Sequence, residues 1–405
     1  MRSTYGDFEP PTGCITVDVS KLDLRPDEDI VKELTGKPHP VTSEKNLCMS
    51  GSASNGTLHL SLDQSADTSR DTGFGDMPAY NQRNLINWYR RYGKSGWQVR
   101  LVDAIPGSPN NARNFVTDEN LPAAYLENTL DGDWKPQWQS DLVRFPLLLR
   151  YGGIYVDPST ILLHSLGQVW DLVASPQTPY EFFCMRNGGD DSAQLTNFFF
   201  GCRANNALVQ LAHKLYLHLW EGATNSAGMH KHPLIAFAGL IKVSTGMRFH
   251  GVKMPLDMDE VTDYLTQGIV ITAILHTKDE EAGWDGPEYF REKCFTLDML
   301  SDAMIVDQYT GFDGERGARM LALPVDASVI TNEEEMELHK ETATLVTDIV
   351  TRGFCLKLPT GAINKYVAGG ALAHYWKLSN AAGDHVDAKP GTWAAYLRHA
   401  SVYWD

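Results

Sequence analysis

The 405-residue chain contains no apolar run long enough to cross a membrane. Its longest apolar stretches fall far below the ~20 residues that a membrane-spanning helix requires. The opening residues, MRSTYGDFEPPTG, contain no apolar segment typical of a secretory signal. We therefore expect a cytoplasmic protein that is not attached to a membrane.

Cysteine is scarce, and its positions show no pattern. The six cysteines are Cys14, Cys48, Cys184, Cys202, Cys294 and Cys355. They include no Cys-x-x-Cys pair and no spacing typical of a zinc site. The pattern predicts buried thiols in a reducing compartment and argues against a disulfide framework.

Basic residues are outnumbered, with 35 Lys and Arg against 51 Asp and Glu, so the formal net charge is −16. This balance argues against a large nucleic-acid interface, because binding a phosphate backbone needs clustered cations.

One local basic cluster is interleaved with aromatic residues. It comprises Arg90, Arg91, Lys94 and Arg100, with Trp88, Tyr89, Tyr92 and Trp97 between them. We interpret it as the solvated face of an amphipathic helix whose aromatic side chains pack inward.

Length and a hydrophobic content of 43% allow one large α/β domain with insertions, or two domains. Residues 1–56, rich in Pro, Asp, Ser and Thr, are predicted to form an N-terminal extension without visible chemistry. Residues 57–300 are predicted to form the core, which begins with a strand at 58–62, and residues 301–405 to complete it. Near the C-terminus, Thr331 and Glu334 form a capping box that predicts a helix running toward Arg352.

The most informative segment is residues 140–160, SDLVRFPLLLRYGGIYVDPST. Ser140 is predicted to cap an apolar helix, with an irregular first turn before Pro146 and regular helix after it. Gly152 and Gly153 supply a helix stop with positive φ.

A short buried strand, residues 154–156, follows the glycine pair and ends at Asp157. Ligands in open α/β sheets bind beyond the carboxyl ends of the strands. Asp157 is therefore the leading candidate for a functional carboxylate.

The segment resembles the S-D-x-x-R…Y-G-G-[IV]-[YW]-x-D pattern of retaining glycosyltransferases with a DXD sugar-binding region, especially the capsular-polysaccharide-synthesis-like proteins. Three further segments carry the resemblance over about residues 57–219. They are GDMP at 75–78 followed by NLINW at 84–88, WQVRLVD at 97–103, and TNFFFG at 196–201.

The resemblance implies a GT-A fold, which is a Rossmann-type sheet flanked by helices, with an N-terminal extension and a C-terminal helical or irregular region. It implies retaining transfer of a sugar from a nucleotide-sugar to a small-molecule acceptor, with a divalent metal at the site. By position in the motifs, Asp141, Arg144 and Asp157 are assigned to catalysis. Residues assigned to substrate binding are Tyr151, Tyr155, Ser159, Asn197 and Trp88.

The chain departs from the family pattern at the metal motif, where Asp157-Pro158-Ser159 replaces Asp-x-Asp. A hydroxyl in place of the second carboxylate weakens a Mg²⁺ or Mn²⁺ site without abolishing it, since Mg²⁺ is often held by one carboxylate and substrate phosphates. Metal dependence is therefore open. Asp384 and His385, with His374, are the candidates for late metal ligands, because enzymes of this kind commonly complete the site from a C-terminal segment.

Two other groups of polar residues are weaker candidates for ligands. Asp190 and Asp191 follow a glycine pair and are typical of an exposed turn. His230 and His232 flank Lys231 beside a proline, and a loop without function explains them better than a metal or acceptor site does.

Two alternatives stay open at this point. The first is an arginine-containing cyclodipeptide synthase on the same scaffold, which would condense two aminoacyl-tRNAs. On that hypothesis Asp157 would hold an α-ammonium group and the cluster at Arg90, Arg91 and Lys94 would contact tRNA. The second alternative is a non-catalytic binding protein that has lost its metal site at Ser159.

Overall fold

The computed structural model describes residues 4–36, 45–50, 77–187, 194–239, 248–249, 252–253, 257–361 and 369–405. The strand predicted at residues 58–62 and the acidic pair Asp190 and Asp191 lie outside these ranges. Among the residues described, no helix combines the length and the apolar character needed to span a bilayer.

A six-stranded sheet forms the centre of the molecule. Its strands are β1 (Asn46–Ser50), β2 (Gln98–Val102), β3 (Gly153–Val156), β5 (Phe182–Arg186), β6 (Leu195–Cys202) and β11 (Cys294–Asp298). Their order is β11-β5-β6-β3-β1-β2, and β6 runs antiparallel to both of its neighbours while the other pairs are parallel. The predicted α/β fold with a Rossmann-type sheet is therefore confirmed.

In the described part of the chain, three two-stranded ribbons lie outside this sheet. They pair β4 (Thr160–Leu162) with β12 (Cys355–Lys357), β7 (Arg248–Phe249) with β8 (Val252–Lys253), and β9 (Lys278–Asp279) with β10 (Trp284–Asp285). The first ribbon joins the middle of the chain to its C-terminal part, and it places Lys357 opposite Thr160.

Helices cover the sheet and build the C-terminal part. The described α-helices are α1 (Asp27–Thr35), α2 (Ala79–Tyr92), α3 (Ala123–Leu126), α4 (Lys135–Tyr151), α5 (Leu166–Ala174), α6 (Ala207–Leu219), α7 (Met258–Tyr264), α8 (Thr266–His276), α9 (Gly286–Lys293), α10 (Met299–Asp302), α11 (Ile305–Thr310), α12 (Gly314–Ala322), α13 (Glu333–Arg352), α14 (Leu372–Ala381) and α15 (Trp393–Tyr403). Short 3-10 turns lie at Val19–Lys21, Ala112–Asn114, Asp118–Asn120, Met229–Lys231, Ala236–Ala238, Ala327–Val329 and Val386–Ala388.

Alternation along the strands divides the core between the two faces of the sheet. Tyr155 and Phe200 belong to one apolar cluster, whereas Ile154 and Phe199 belong to the other. Side chains of neighbouring residues in a strand point to opposite faces, so each face needs its own layer of helices. A third cluster lies among the C-terminal helices and includes Leu356 of β12.

Three local predictions need correction. Strand β1 lies in the segment that was predicted to be an N-terminal extension. In the sheet it lies between β2 and β3, so the core begins before residue 57. Helix α4 begins at Lys135 and continues through Pro146, so Ser140 lies inside the helix and does not cap it. Burial of its apolar face outweighs the hydrogen bond that proline removes. Helix α13 is capped by Asn332, whose side chain accepts from two backbone N–H groups, and not by Thr331.

Candidate active site

Asp157 lies at the carboxyl end of β3, as the sequence predicted. Its backbone N–H donates to the carbonyl of Phe198 at 2.8 Å, which fixes it against the middle of β6. Its side chain is 22% exposed and therefore reaches the open edge of the sheet. Gly152 and Gly153, with φ of 63° and 102°, make the turn from α4 into this strand.

Lys357 brings a cation directly onto this carboxylate from 200 residues away in the sequence. Its Nζ donates to Asp157 Oδ2 at 2.6 Å and to Ser159 Oγ at 2.8 Å. The backbone of β12 fixes the position, since Leu358 N–H donates to the Ser159 carbonyl at 2.8 Å. One ammonium group therefore joins the first and third residues of the Asp-Pro-Ser triplet.

Arg144 approaches the same carboxylate from the side of α4. Its Nη2 lies 3.1 Å from Asp157 Oδ1 and 2.8 Å from Asp141 Oδ1, and its Nη1 donates to the Asn197 carbonyl at 2.5 Å. The Tyr155 ring lies beneath the guanidinium at 4.5 Å, and its hydroxyl donates to Asp157 Oδ1 at 3.1 Å. Both terminal nitrogens of Arg144 thus contact protein acceptors, and its side chain is only 6% exposed.

The two carboxyl groups of the cluster respond differently to burial. Burial favours the neutral form of Asp157, but Lys357 and Arg144 outweigh it and lower the pKa of this carboxyl. Burial raises the pKa of Asp141 to about 6 in spite of its contact with Arg144. Asp157 is therefore the firmly ionised member of the pair.

A second network supports the backbone of the Asp-Pro-Ser triplet. The Asn84 side chain donates to the Pro158 carbonyl at 2.7 Å and accepts from the buried guanidinium of Arg398. Arg398 in turn pairs with Asp387 at 2.9 Å, and both of these side chains are fully buried. Helices α2 and α15 thereby hold the loop that carries Asp157.

An aromatic pair flanks the cluster on the side of α7. The Trp134 and Tyr264 rings lie 4.6 Å apart. Burial, followed by the charges of Asp141 and Asp157, raises the pKa of the Tyr264 hydroxyl. Gly361, at φ 64°, lets the chain after β12 pass beside Tyr264, because a Cβ there would lie 2.6 Å from the tyrosine oxygen.

The donor set does not suit the divalent metal that the family resemblance implies. Both oxygens of Asp157 already contact cationic side chains, and the hydroxyl of Ser159 accepts from Lys357. A divalent ion on these oxygens would face an ammonium group and a guanidinium group at close range. Within the part of the chain that the structure describes, no group of three or more His, Cys, Asp or Glu side chains is placed to hold a metal.

Comparison with known proteins identifies the family. A protein-family sequence model described as "Capsular polysaccharide synthesis protein" matches residues 73–228, which include the helix and strands around Asp157. The glycosyltransferase afumC of Aspergillus fumigatus is 34% identical over 82% of this chain and 82% of its own length. The chain is a glycosyltransferase of the capsular polysaccharide synthesis protein family.

Two further relatives extend the similarity to nearly the whole chain. The O-glycosyltransferase PaGT of Phomopsis amygdali is 30% identical over 99% of this chain and 92% of its own length. The O-glycosyltransferase braB of Annulohypoxylon truncatum is 29% identical over 98% of this chain. The similarity therefore includes the C-terminal part that supplies Lys357, and a glycosyltransferase acts on a sugar donor and an acceptor.

Most residues assigned to the site of this glycosyltransferase lie together. Asp141, Arg144 and Asp157 form one ion-pair cluster, with Ser159 bound to the same lysine as Asp157. Tyr155 contacts Asp157, and Asn197 contributes its backbone carbonyl to Arg144. Tyr155 is fully buried, so its ring faces protein groups in this structure.

Two residues assigned to substrate binding lie elsewhere. Trp88 is 1% exposed and packs in an apolar cluster beneath the sheet, so its ring has no open face for a sugar. Tyr151 ends α4 just before β3, at the strand end opposite Asp157, and its hydroxyl donates to the Phe115 carbonyl at 2.8 Å. The described contacts therefore place these two rings away from Asp157, in the surroundings usual for an aromatic residue of the core.

The late metal ligands are not gathered at the site either. Asp384 and His385 are exposed in the turn after α14, and His374 lies in that helix beside Tyr375. A different residue of the C-terminal part, Lys357, contacts Asp157.

His230 and His232 have separate local roles. His230 is paired with Asp263 at 2.7 Å, whereas His232 packs its ring against His218 at 5.8 Å. The first is a local contact with α7 and the second a contact between two rings, and neither joins the cluster around Asp157.

Lys357 was not found by sequence reasoning. The only signal is a lone lysine within the apolar stretch FCLKLP at residues 354–359. A charged residue in the middle of a short buried strand needs a partner of opposite charge, and that requirement marks it as a candidate.

The basic cluster gives no support to the cyclodipeptide synthase alternative. Arg91 is buried and paired with Asp405, and Arg90 is paired with Asp27. Arg100 is also buried, which leaves Lys94 as the exposed member. The aromatic neighbours do pack inward as predicted, but these arginines form internal contacts and are not a solvated face.

Proposed function

We propose that this glycosyltransferase takes its sugar from a nucleotide-sugar and transfers it to a hydroxyl oxygen of a small-molecule acceptor, with retention of the anomeric configuration. The observation that carries the proposal is the Lys357–Asp157 pair at the carboxyl edge of a Rossmann-type sheet, where such folds bind ligands. The two relatives named O-glycosyltransferases support oxygen as the attacking atom of the acceptor.

The chemistry requires stabilisation of a leaving group. The bond between the anomeric carbon and the diphosphate breaks, and its electron pair remains on the diphosphate. The acceptor oxygen forms the new bond to the same carbon, and its proton passes to the released diphosphate. A cation held close to the leaving oxygen lowers the barrier, because negative charge develops there in the transition state.

The cluster assigns separate tasks to its members. Lys357 is the cation nearest the open edge, with a side chain 11% exposed, and it contacts the donor diphosphate. Asp157 orients that ammonium group. Arg144, enclosed by Asp141, Asn197 and Tyr155, is a positioning residue that holds Asp157 in turn.

Asp157→Asn tests this assignment. We expect transfer to fall by about 100-fold or more, since a charged group that orients the site is lost. The fold is retained with a stability loss of about 1–3 kcal/mol, because the amide keeps part of the hydrogen bonding. Release of nucleoside diphosphate from a panel of UDP- and GDP-sugars measures activity, and circular dichroism checks folding.

The matched control is Asp118→Asn, which removes a carboxylate from an exposed pair with Arg113 at 2.6 Å. It is expected to leave activity unchanged. Wild-type turnover in Asp157→Asn would remove this carboxylate from the mechanism.

The reaction itself is tested by expressing the protein in a heterologous host and comparing extracts with the Asp157→Asn strain by mass spectrometry. The expected product is a new O-glycoside whose anomeric configuration, read by NMR, equals that of the donor. An inverted product would overturn retention, and a product without sugar would overturn the choice of donor.

We also propose a cytoplasmic location. All six cysteines are free thiols, and all but Cys14 are buried. This is the state expected of thiols in a reducing compartment. Fluorescence microscopy of the tagged protein in its host tests this location.

A further inference from the structure

We infer that the ammonium group of Lys357 takes the place of the divalent cation in this glycosyltransferase and neutralises the donor diphosphate without a metal. The inference rests on the nucleotide-sugar donor proposed above. It deepens that proposal by naming the cation of the site.

The position of Nζ carries the first step. It lies 2.6 Å from Asp157 Oδ2 and 2.8 Å from Ser159 Oγ, the side chains at the two ends of the triplet that aligns with Asp-x-Asp. A metal bridging these two oxygens would need metal–oxygen distances of about 2.0–2.2 Å and would overlap the ammonium group. The lysine and a bridging metal therefore exclude each other.

The charge balance carries the second step. Asp-x-Asp would offer two negative charges to a divalent cation, whereas Asp157 with Ser159 offers one. A single ammonium charge matches a single carboxylate, and the neutral hydroxyl of Ser159 accepts a second hydrogen bond from it. Ser159 was predicted to be a weak metal ligand, but its neutral hydroxyl is instead suited to accept a hydrogen bond from a lysine ammonium group.

The rigidity of Lys357 carries the third step. Its backbone is fixed in β12 opposite Thr160, and its own N–H donates to the Ala303 carbonyl at 2.8 Å. The Phe198 ring lies 4.9 Å from Nζ. A lysine on the surface would lose rotamer freedom on binding a ligand, but this one has already lost it on folding.

Among the described residues, two acceptors bind the ammonium, which leaves one of its hydrogen-bond donors for a ligand. An ammonium group has three N–H donors, and the described residues take two of them, at Asp157 and Ser159. The third can reach a phosphate oxygen of the donor. As the bond between sugar and diphosphate breaks, the electron pair moves onto an oxygen that this N–H and its positive charge stabilise.

The first arm of the test uses Mn²⁺ alone, detected by the loss of the free-ion EPR signal. Wild type is expected to show no Asp157-dependent binding. Lys357→Met combined with Ser159→Asp, which restores two carboxylates and removes the ammonium, is expected to bind one Mn²⁺, and adding Asp157→Asn should abolish that binding. Mn²⁺ binding by wild type that disappears in Asp157→Asn would overturn the inference.

The second arm measures UDP and GDP binding by calorimetry, in EDTA and in excess Mg²⁺. Wild type should bind its preferred nucleotide with affinities that agree within about twofold under the two conditions. Lys357→Met should weaken binding about tenfold or more, whereas Lys357→Arg, which keeps the charge, should lose much less. Binding that EDTA abolishes and Mg²⁺ restores in wild type would overturn the inference.

Two controls keep the arms independent. Lys278→Met removes a lysine that contacts Asp285 at the same 2.6 Å distance on the exposed surface, and it should change neither arm. Circular dichroism verifies that each Lys357 variant is folded. If wild type binds neither UDP nor GDP, the proposed donor is wrong, and the Mn²⁺ arm still decides whether the lysine excludes a metal.

Discussion

At the scale of single residues, this glycosyltransferase pairs several buried carboxylates with cationic side chains. Asp157 has Lys357 and Arg144, and Asp387 has Arg398. Asp307 of α11 differs from these. It is 2% exposed, and its Oδ2 has no hydrogen-bond partner among the residues described.

Asp307 predicts a pH dependence of stability. Burial raises the pKa of this carboxyl to about 8, although the backbone N–H groups of Leu372 and of Asp307 itself oppose the shift. The folded state therefore keeps a proton that the unfolded state releases near its ordinary value of 3.8. The contribution of the protonated carboxyl to the free energy of unfolding is complete below pH 3.8. As the pH rises, this contribution falls by up to about 1.4 kcal/mol per pH unit, and it is lost near pH 8.

The variant Asp307→Asn cannot titrate and should lack this contribution. Relative to wild type, it should gain stability steadily as the pH rises from 5 to 8. Urea unfolding of both proteins at several pH values measures the difference. Parallel stability curves for the two proteins would show that Asp307 does not hold the proton.

At the scale of elements, the turn from α4 into β3 is what delivers Asp157 to the sheet edge. Gly153 is the constrained position, because strand β1 passes so close that a Cβ there would lie 2.2 Å from the Asn46 carbonyl oxygen. Its φ of 102° also disfavours any L side chain. The glycine is required twice, by its backbone angle and by the neighbouring strand.

Gly153→Ala should therefore destabilise the protein by about 3 kcal/mol or more. The strain of the backbone angle and the clash with the neighbouring strand both contribute to this loss. The control is Gly96→Ala, where φ is 83° but nothing lies within 4 Å of the added Cβ. That change should cost only about 1–2 kcal/mol, the price of the backbone angle alone. Thermal unfolding compares the two variants, and equal losses would show that the contact with β1 does not matter.

At the scale of the whole molecule, the C-terminal part and the sheet depend on each other. Helix α15 contributes Arg398, which bonds Asn84 of α2, and Asn84 holds the Pro158 carbonyl of the site loop. Strand β12 contributes Lys357 to the same loop. The prediction that residues 301–405 complete the core thus has a physical basis in these contacts, and the following variant tests it.

Asp387→Asn removes the carboxylate that compensates the buried Arg398. We expect a loss of about 3–5 kcal/mol, because an uncompensated buried charge remains. We also expect reduced transfer activity, since the Asn84 contact to Pro158 loses its support. The exposed pair variant Asp118→Asn should change stability by less than about 1 kcal/mol. Similar unfolding midpoints for the two variants would contradict the coupling.

The sequence by itself determined the local features of the site. Residues 140–160 encode a helix, a glycine turn and a strand that ends at Asp157, because apolar spacing and positive-φ glycines act over a few residues. Asp141, Arg144 and Asp157 were identifiable because all three lie in this one segment. The α/β class followed from the family resemblance that this segment and three others carry.

Only the tertiary structure decided which distant residues meet Asp157. Lys357 lies 200 positions away, and its register opposite Thr160 depends on the pairing of β12 with β4, which no local spacing encodes. Packing likewise decided three other features of the molecule. These are the membership of β1 in the sheet, the burial of Arg91 and Trp88, and the exposure of Asp384 and His385. The physical reason is that burial and charge pairing are set by long-range contacts, whereas a sequence motif shows only neighbours along the chain.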